Sequence, residues 1–150
     1  MDQPAPMHFV GEFRHSLDEK GRLTVPAKWR PRGEGGSVTF LAMPNPEGYI
    51  TVYPPDRLAE LRDKMRRLGM KDRKKRAALT QFLSRLHEFE FDRSGRIKLS
   101  DTLIRHAGIE KDAVLLGELA SFAIYSPDRY EAQMPASTEE MDAVFEEFEL

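Results

Sequence analysis

One five-residue pattern occurs twice in this chain of 150 residues and restricts the possible fold more than any other feature. The stretches LDEKGRLTVP (17–26) and FDRSGRIKLS (91–100) both contain Asp-x-x-Gly-Arg between alternating apolar residues. A second pair of similar stretches follows: VYPPDRL (52–58) comes after the first copy and IYSPDRY (124–130) after the second. Two matched blocks in the same order indicate a duplicated module.

The chemistry of the repeated pattern predicts a turn between two strands. The carboxylates of Asp18 and Asp92 can accept hydrogen bonds from backbone amides a few residues later, and Gly21 and Gly95 can adopt a positive φ. Apolar and polar residues alternate on both sides of each turn, which is typical of half-buried strands. The pattern therefore predicts one β-hairpin in each module, with its two strands paired to each other.

The rest of each module is predicted to contain a short helical segment and two further strands. The expected helical segments are 27–30 and 101–107, and the expected strands are 38–42, 49–53, 113–117 and 122–125. The fold class is therefore α+β and rich in β structure. Its predicted parts are a first module (8–54), a linking helical hairpin (55–85), a second module (86–127) and an acidic helical tail (128–150). Because a module below about 60 residues buries little of its surface, the two copies are expected to pack on one another.

Two helix starts are predicted from capping residues, and a third, at about Asp72, is predicted from an apolar stripe at helical spacing. Asp56 follows two prolines and is the expected cap of the first linking helix, which Gly69 is expected to interrupt. Asp72 begins the second linking helix, and Ser137 with Glu140 forms the Ser-x-x-Glu pattern of a capping box at the start of the tail helix.

The charge is unevenly distributed along the chain. The formal net charge is −2, but residues 128–150 contain eight acidic residues and one basic residue, so the preceding part is basic.

The chain has no cysteine, which excludes disulfides and thiolate metal sites. No apolar run approaches the roughly 18–20 residues of a membrane span. Residues 1–7 lack the features of a secretory signal and are expected to be a disordered lead-in, so the expected location is the cytoplasm.

Enzymatic motifs are missing from the sequence. The four histidines show no metal-ligand spacing, and neither a Gly-x-x-x-x-Gly-Lys phosphate loop nor a Gly-x-Ser-x-Gly motif is present. The stretch GEGG (33–36) is interpreted as a connection between strands because no helix start with Lys, Ser or Thr follows it. We therefore expect no catalytic residue, metal, cofactor or small-molecule substrate.

The turn arginines, Arg22 and Arg96, have two interpretations. Each can pair with the aspartate of its own turn, an interaction worth ~0–1 kcal/mol on an exposed hairpin. Alternatively, they can contact DNA with help from Lys20, Arg93 and Arg14, because two-stranded ribbons fit the major groove and arginine binds guanine edges or phosphates bidentately. The spacing alone leaves both interpretations open.

A second basic region is a rival candidate for DNA contact. Residues 62–76, RDKMRRLGMKDRKKR, contain nine Lys or Arg residues and two Asp. A solvated helix face is the more common meaning of such a run, and a phosphate contact that positions DNA without reading its sequence is another.

The stretches FVGEFRHSLDEKGRLTVPAKWR (9–30) and DRSGR (92–96) resemble the MraZ family of bacterial transcriptional regulators. The resemblance covers about residues 8–135 and maps the duplicated Asp-x-x-x-Arg motif of the family onto Asp18, Arg22, Asp92 and Arg96. It implies tandem AbrB-like (SpoVT-type) modules, with swapped hairpins in a double-split β-barrel. Ser100 stands where the first copy has Pro26, which leaves open how similar the two hairpin exits are, and the tail from about residue 135 has no assigned counterpart.

The resemblance also implies a function. The family forms rings and binds direct repeats in the promoter of the division and cell wall gene cluster. We therefore expect a cytoplasmic, nucleoid-associated repressor that binds double-stranded DNA as a homo-oligomer. The alternative is an oligomeric protein-interaction or nucleoid-associated scaffold, in which DNA binding is secondary or depends on residues 62–76. A third possibility is an autoinhibitory tail that competes with DNA for the basic surface.

Overall fold

The computed structural model describes residues 7–31, 38–67, 71–134 and 136–150. The first repeat contains β1 (Glu12–Ser16), β2 (Arg22–Thr24), a 3₁₀ helix (Ala27–Trp29), β3 (Phe40–Asn45), β4 (Tyr49–Tyr53), α1 (Pro55–Arg67) and α2 (Arg73–Leu83). The second contains β5 (His87–Phe89), β6 (Arg96–Lys98), α3 (Asp101–Ala107), β7 (Asp112–Gly117), β8 (Phe122–Tyr125), α4 (Pro127–Gln133) and α5 (Thr138–Glu147). The first six residues of the predicted lead-in, the GEGG stretch and the predicted helix interruption at Gly69 lie outside the described residues.

The strands of the two repeats interleave in one antiparallel sheet of six strands. Its order is β1-β7-β8-β4-β3-β5, so the β3–β4 and β7–β8 hairpins lie side by side in the middle. Each outer strand belongs to the opposite repeat from its neighbour. The remaining strands, β2 and β6, form a separate two-stranded ribbon. The α+β class is thus confirmed, and the duplicated modules are interlocked.

The prediction from the residue pattern that each module forms its own paired hairpin is wrong, whereas the exchange of strands between modules that the resemblance implied is confirmed. The turns do reverse the chain, but β1 pairs with β7 and β2 pairs with β6, each in the other repeat. The turn chemistry acts within five residues and cannot select a distant partner. Because an isolated two-stranded hairpin is marginally stable in water, pairing with the other repeat lets these short strands bury their apolar sides in a shared core.

The core lies between one face of the six-stranded sheet and the β2–β6 ribbon. Leu23 and Ile97 point into it from the ribbon, and Trp29 and Leu103 enclose it beside the ribbon. The sheet contributes a buried set from four strands: Phe40, Ala42, Ile50, Val52, Leu115, Phe122 and Ile124. This is the inner face of the sheet.

The outer face of the same sheet carries a smaller apolar cluster. The rings of Tyr49 and Tyr125 stack with their centroids 4.3 Å apart, and Val114 and Ala123 are buried beside them. Tyr130 of α4 packs on this cluster, and α1 lies against β3. The ribbon and the helices α1 and α4 are therefore on opposite faces of the sheet.

The predicted helix starts are correct at two of three places. Asp72 caps α2, and Ser137 with Glu140 forms the capping box of α5. The prediction for Asp56 is wrong because α1 begins at Pro55 and Asp56 lies in the first turn. Proline is favoured at the first helical position, where its missing N–H needs no partner.

The structure also contains a helix that the sequence prediction missed. Helix α4 starts after Ser126, whose hydroxyl accepts a hydrogen bond from the amide of Arg129, and Pro127 occupies its first position. A Ser-Pro pair before acidic and aromatic residues was the available signal. As a result, each repeat ends in two helices, α1 and α2 in the first and α4 and α5 in the second.

Candidate nucleic-acid interface

The β2–β6 ribbon brings the two copies of the repeated motif together. Its register places Arg22 opposite Lys98 and Thr24 opposite Arg96, while Leu23 faces Ile97. Because side chains alternate along a strand, the first two pairs share one face of the ribbon and the third pair enters the core. Both motif arginines thus lie on the outward face of a single ribbon built from both repeats.

Each motif aspartate organises its turn through the same three hydrogen bonds. Asp18 Oδ1 accepts from the amides of Lys20 and Arg22 at 2.9 and 2.8 Å, and its Oδ2 accepts from Arg22 Nε at 2.6 Å. In the second turn, Asp92 Oδ1 accepts from the amides of Ser94 and Arg96, and its Oδ2 accepts from Arg96 Nε, all at 2.9 Å. Each aspartate therefore ties the two ends of its turn together.

The turn glycines have the conformation that the motif predicts. Gly21 and Gly95 have φ values of +75° and +76°, which side-chain-bearing residues rarely adopt. The Arg30 guanidinium also lies so close to Gly95 that an added Cβ would be 2.1 Å from Arg30 Nε. At the equivalent point of the first turn, an added Cβ at Gly21 would lie 3.2 Å from the carbonyl oxygen of Leu99 and 3.4 Å from Ile104 Cδ1.

The two turns are connected to each other as well as to their own strands. The amide of Leu99 donates to the carbonyl of Gly21 at 2.9 Å, and the amide of Val25 donates to that of Gly95 at 3.1 Å. Arg96 Nη1 is also 3.7 Å from Asp18 Oδ2, so one carboxylate lies near both motif arginines. This network holds the arginines in a fixed relative position.

The ion-pair interpretation of the arginines is correct, but each ion pair with the aspartate of the same turn occupies only the Nε of the guanidinium. Arg22 and Arg96 pair with their aspartates through Nε, and their side chains remain about one-third exposed. Among the described residues, the terminal nitrogens of Arg22 have no other hydrogen-bond partner. A guanidinium fixed through Nε still has the N–H donors of Nη1 and Nη2, with which it can form a bidentate contact with an incoming anion.

The same contacts lower the pKa values of both motif aspartates. The largest cause for Asp18 is the hydrogen bond from the backbone amide of Arg22, and the largest cause for Asp92 is that from the amide of Arg96. Partial desolvation opposes this effect at both sites. The carboxylates are therefore ionised in any neutral solution, and the turns keep their hydrogen bonds.

These lowered pKa values predict a loss of stability in acid. A carboxyl whose pKa is lower in the folded state stabilises the protein above its unfolded value of about 3.9, and this contribution disappears as the pH falls through the folded value. We expect the urea midpoint of the wild type to fall more steeply below about pH 4 than that of the variant Asp18→Asn/Asp92→Asn. An equal acid dependence of the two proteins would contradict this assignment. Asp112→Asn, which removes a carboxylate bound to Ser16 Oγ outside the turns, is the control.

Two further cations that the sequence prediction missed lie at the ribbon. Lys98 is exposed and directly opposite Arg22, and Arg30 lies over the second turn while its Nε donates to the carbonyl of Val25 at 2.8 Å. Lys98 was detectable because it is two residues from Arg96 and so shares its strand face. Arg30 had no comparable signal. With Lys20 and Arg93 at the exposed turn tips, the ribbon and its turns contain six basic residues against Asp18, Glu19 and Asp92.

The structure does not bring Arg14 to this surface. Arg14 lies in β1 opposite Val114, on the outer face of the six-stranded sheet, and its guanidinium is 5.4 Å from the centre of the Tyr130 ring. The described part of the basic segment 62–76 is on α1, on α2 and between them, and its side chains are predominantly exposed. Because α1 packs on the outer face, this second basic surface is separated from the ribbon by the sheet.

Other kinds of site are not evident in the described part of the chain. No group of His, Asp or Glu residues there has an arrangement suited to a metal ion. None of its helices has both the length and the apolar character needed to cross a membrane.

Comparisons with known proteins agree with this architecture. The family described as "MraZ protein, putative antitoxin-like" matches the chain twice, at residues 8–81 and 82–148. The second match includes α5, so the tail that had no assigned counterpart belongs to the family pattern as far as residue 148.

Individual relatives match over nearly their whole length. A protein of Natranaerobius thermophilus is 38% identical over 145 residues, covering 95% of this chain and 99% of the relative. One from Lactobacillus delbrueckii subsp. bulgaricus is 36% identical over 141 residues, covering 94% and 96%. One from Chlorobaculum tepidum is 36% identical over 134 residues, covering 82% and 86%. Each is named "Transcriptional regulator MraZ", a description of a non-enzymatic function. With two family matches that together cover residues 8–148 and relatives of this similarity, the chain belongs to the MraZ family of transcriptional regulators.

Proposed function

We propose that this regulator binds double-stranded DNA through the outward face of the β2–β6 ribbon. The observation that carries the proposal is that the ribbon holds both motif arginines and Lys98 on one exposed face, each arginine fixed by its aspartate. Two adjacent strands are about 5 Å apart, and the major groove is about 12 Å wide, so a ribbon of this kind can enter it. Lys20, Arg93 and Arg30 extend the basic surface around the turns.

The interlocked fold suggests how many contacts one chain makes. Because β2 and β6 pair with each other, the two copies of the motif form one basic surface rather than two separate hairpins. We propose that one chain therefore contacts one DNA repeat. A homo-oligomeric ring would present several such surfaces to successive direct repeats, and tethering raises the effective concentration of each further contact.

The biological role follows from the family resemblance. The proposed target is the promoter of the division and cell wall gene cluster, where an oligomer bound across several repeats acts as a repressor. The protein would then work in the cytoplasm, in association with the nucleoid. The division into two modules (8–54 and 86–127), a linking helical hairpin (55–85) and an acidic tail (128–150) remains part of this proposal.

The principal test is removal of both motif arginines. For Arg22→Ala/Arg96→Ala, we expect promoter affinity in a gel-shift titration to fall by about 100-fold, because each good bidentate arginine contact is worth about 1–3 kcal/mol. If the arginines bind phosphates, the slope of log K against log salt also decreases by roughly one for each arginine. An unchanged affinity would refute the ribbon as the binding surface.

Arg14→Ala is the matched control for this experiment. It removes an exposed arginine from the outer face of the sheet, next to Tyr130. We expect it to leave DNA affinity within about twofold, since general charge loss alone has a small effect at physiological salt. Circular dichroism of all variants establishes that the turns have not unfolded.

The rival surface is tested by charge reversal on α2. We expect Lys74→Glu/Lys75→Glu, at the exposed start of that helix, to weaken binding less than the double arginine variant. Abolition of binding by this change, with binding retained by Arg22→Ala/Arg96→Ala, would move the DNA site to the basic helices.

A second candidate function is suggested by α5. Its apolar residues are largely exposed, which is typical of an interaction surface and would suit a protein-interaction scaffold. Deleting residues 136–150 and measuring solution mass and DNA affinity separately distinguishes the two functions. The regulator proposal requires that DNA affinity depend on Arg22 and Arg96 in the full-length chain.

A further inference from the structure

Helix α5 carries an apolar stripe that no part of the described chain covers. The stripe consists of Met141, Val144, Phe145 and Phe148, which follow one another at helical spacing and are between 46% and 67% exposed. Two aromatic rings and two aliphatic side chains on one helix face form an apolar patch of a kind that soluble proteins usually bury against another surface. Every residue of α5 is exposed.

The same chain contains an apolar groove of suitable size. It lies between α1, α2 and the edge of the outer sheet face, has a volume of about 800 Å³, and is lined mainly by Leu41, Met43, Leu58, Leu61, Met65 and Phe82. We call it the α1–α2 groove. Sites that hold drug-sized molecules have volumes of roughly 300–1,000 Å³, so this groove has room for more than one large side chain. Phe82 and the neighbouring Leu83 remain 37% and 40% exposed.

The charges around the two surfaces are opposite. Helix α5 contains five acidic residues and no basic residue. Helices α1 and α2 together contain nine basic and three acidic residues, and Arg62 and Arg66 line the groove itself. On α5, Asp142 and Glu147 flank opposite sides of the apolar stripe. A helix lying in the groove would therefore place acidic flanks near basic walls.

The two repeats differ in how they place their last helix. Helices α1 and α2 follow β4, and α4 and α5 follow β8, so α5 holds the position in the second repeat that α2 holds in the first. In the first repeat, α2 contributes Phe82 and Leu83 to the groove wall. In the second repeat, α4 packs on the sheet through Tyr130 but α5 remains exposed.

From these observations, we infer that α5 of one chain docks in the α1–α2 groove of a second copy. The inference rests on the homo-oligomer of the proposed function and identifies the contact that holds it together. Because helix and groove are different surfaces of one chain, the contact is head-to-tail and leaves a free helix and a free groove on every dimer. Such a contact builds a ring when its rotation closes and an open filament when it does not.

Matched charge reversals test both sides of the contact. Asp142→Lys/Glu147→Lys changes the flanks of the α5 stripe, and Arg62→Glu/Arg66→Glu changes the groove wall. We expect each variant alone to associate about tenfold or more weakly than the wild type in sedimentation equilibrium without DNA, because each places like charges together. A wild-type chain that stays monomeric over the accessible concentration range overturns the inference.

An equimolar mixture of the helix variant and the groove variant is the decisive experiment. In an equimolar mixture, the unchanged helix of the groove variant fits the unchanged groove of the helix variant, and the two reversed surfaces also carry opposite charges. We therefore expect the mixture to recover the wild-type mass. Failure of the mixture to recover overturns docking between copies, and it is the result expected if α5 instead occupies the groove of its own chain.

Controls with the same charge change keep the test specific. Glu139→Lys/Glu146→Lys alters α5 opposite its stripe, and Lys64→Glu/Arg67→Glu alters α1 away from the groove lining. We expect both to associate as the wild type does. If they weaken association as much as the test variants, net charge is the cause and the inference fails.

The outcomes also separate this inference from the proposed function. Unchanged mass in both test variants overturns the α5 contact, whereas the DNA-binding proposal still depends on Arg22 and Arg96. Conversely, Arg22→Ala/Arg96→Ala with full DNA affinity overturns the ribbon proposal without affecting assembly. If the helix variant binds DNA more tightly and its mass does not change, α5 covers the DNA surface and the inference is wrong.

Discussion

Replacing Trp29 with alanine is expected to destabilise the protein by about 3–5 kcal/mol, the usual cost of removing a buried aromatic side chain. Trp29 is the only tryptophan in the chain and is 1% exposed. Its ring centre lies 5.8 Å from that of Phe9, 5.1 Å from that of Phe13 and 5.0 Å from that of Phe122. These residues come from both repeats, so the cavity would open at the point where the interlocked strands meet.

The measurement is urea unfolding at fixed protein concentration, followed by circular dichroism because the variant has no tryptophan fluorescence. Lys28→Ala is the matched control, since Lys28 is the exposed neighbour of Trp29 in the same 3₁₀ helix. We expect the control to change the free energy of unfolding by less than about 0.5 kcal/mol. A cost for Trp29→Ala below about 1 kcal/mol would show that this cluster does not hold the repeats together.

A second large effect is expected from Gly117→Ala. An added Cβ at this position would lie 2.4 Å from the carbonyl oxygen of Phe9 and 2.6 Å from the amide nitrogen of Val10. The obstacle is backbone rather than a movable side-chain end. The segment before β1 would have to move away, breaking the hydrogen bonds that Phe9 exchanges with Leu119 at 2.9 Å and withdrawing the fully buried Phe9 ring. We expect a cost of about 3 kcal/mol or more, similar to the loss of a buried phenylalanine.

A double-mutant cycle with Phe9→Ala identifies the cause of that cost. Once the Phe9 ring is gone, its backbone is free to shift, so Gly117→Ala should cost much less in the Phe9→Ala background. We expect the two changes to be non-additive by at least about 1 kcal/mol, as is common for residues in contact. Strict additivity would mean that the clash with the Phe9 backbone is not the cause.

The candidate site was predictable where its chemistry is local. The roles of Asp18 and Asp92 follow from hydrogen bonds to amides within four residues, and those of Gly21 and Gly95 follow from the φ that such turns need. The interpretation of Arg22 as an ion-pair partner of Asp18 also depends on a spacing of four residues. Such interactions are properties of a short segment and need no knowledge of the rest of the chain.

The same reasoning failed where partners are distant in sequence. Lys98 was missed because its proximity to Arg22 depends on the pairing of β2 with β6. Arg14 was selected as an assisting cation, but the pairing of β1 with β7 turns it to the outer face of the sheet. A change of pairing partner or register decides which face each side chain occupies, and no local pattern contains that information.

The sequence by itself determined the duplication, the two turns, two of the three helix starts that it was used to predict, and the family to which the chain belongs. Only the tertiary structure decided which strands of the two repeats pair, that both motif arginines share one ribbon, and that the acidic helix α5 is left exposed while the α1–α2 groove has basic walls. The reason is that turns and caps are stabilised by hydrogen bonds between near neighbours. Strand partners are selected by which apolar surfaces can be buried together, and that depends on the whole chain.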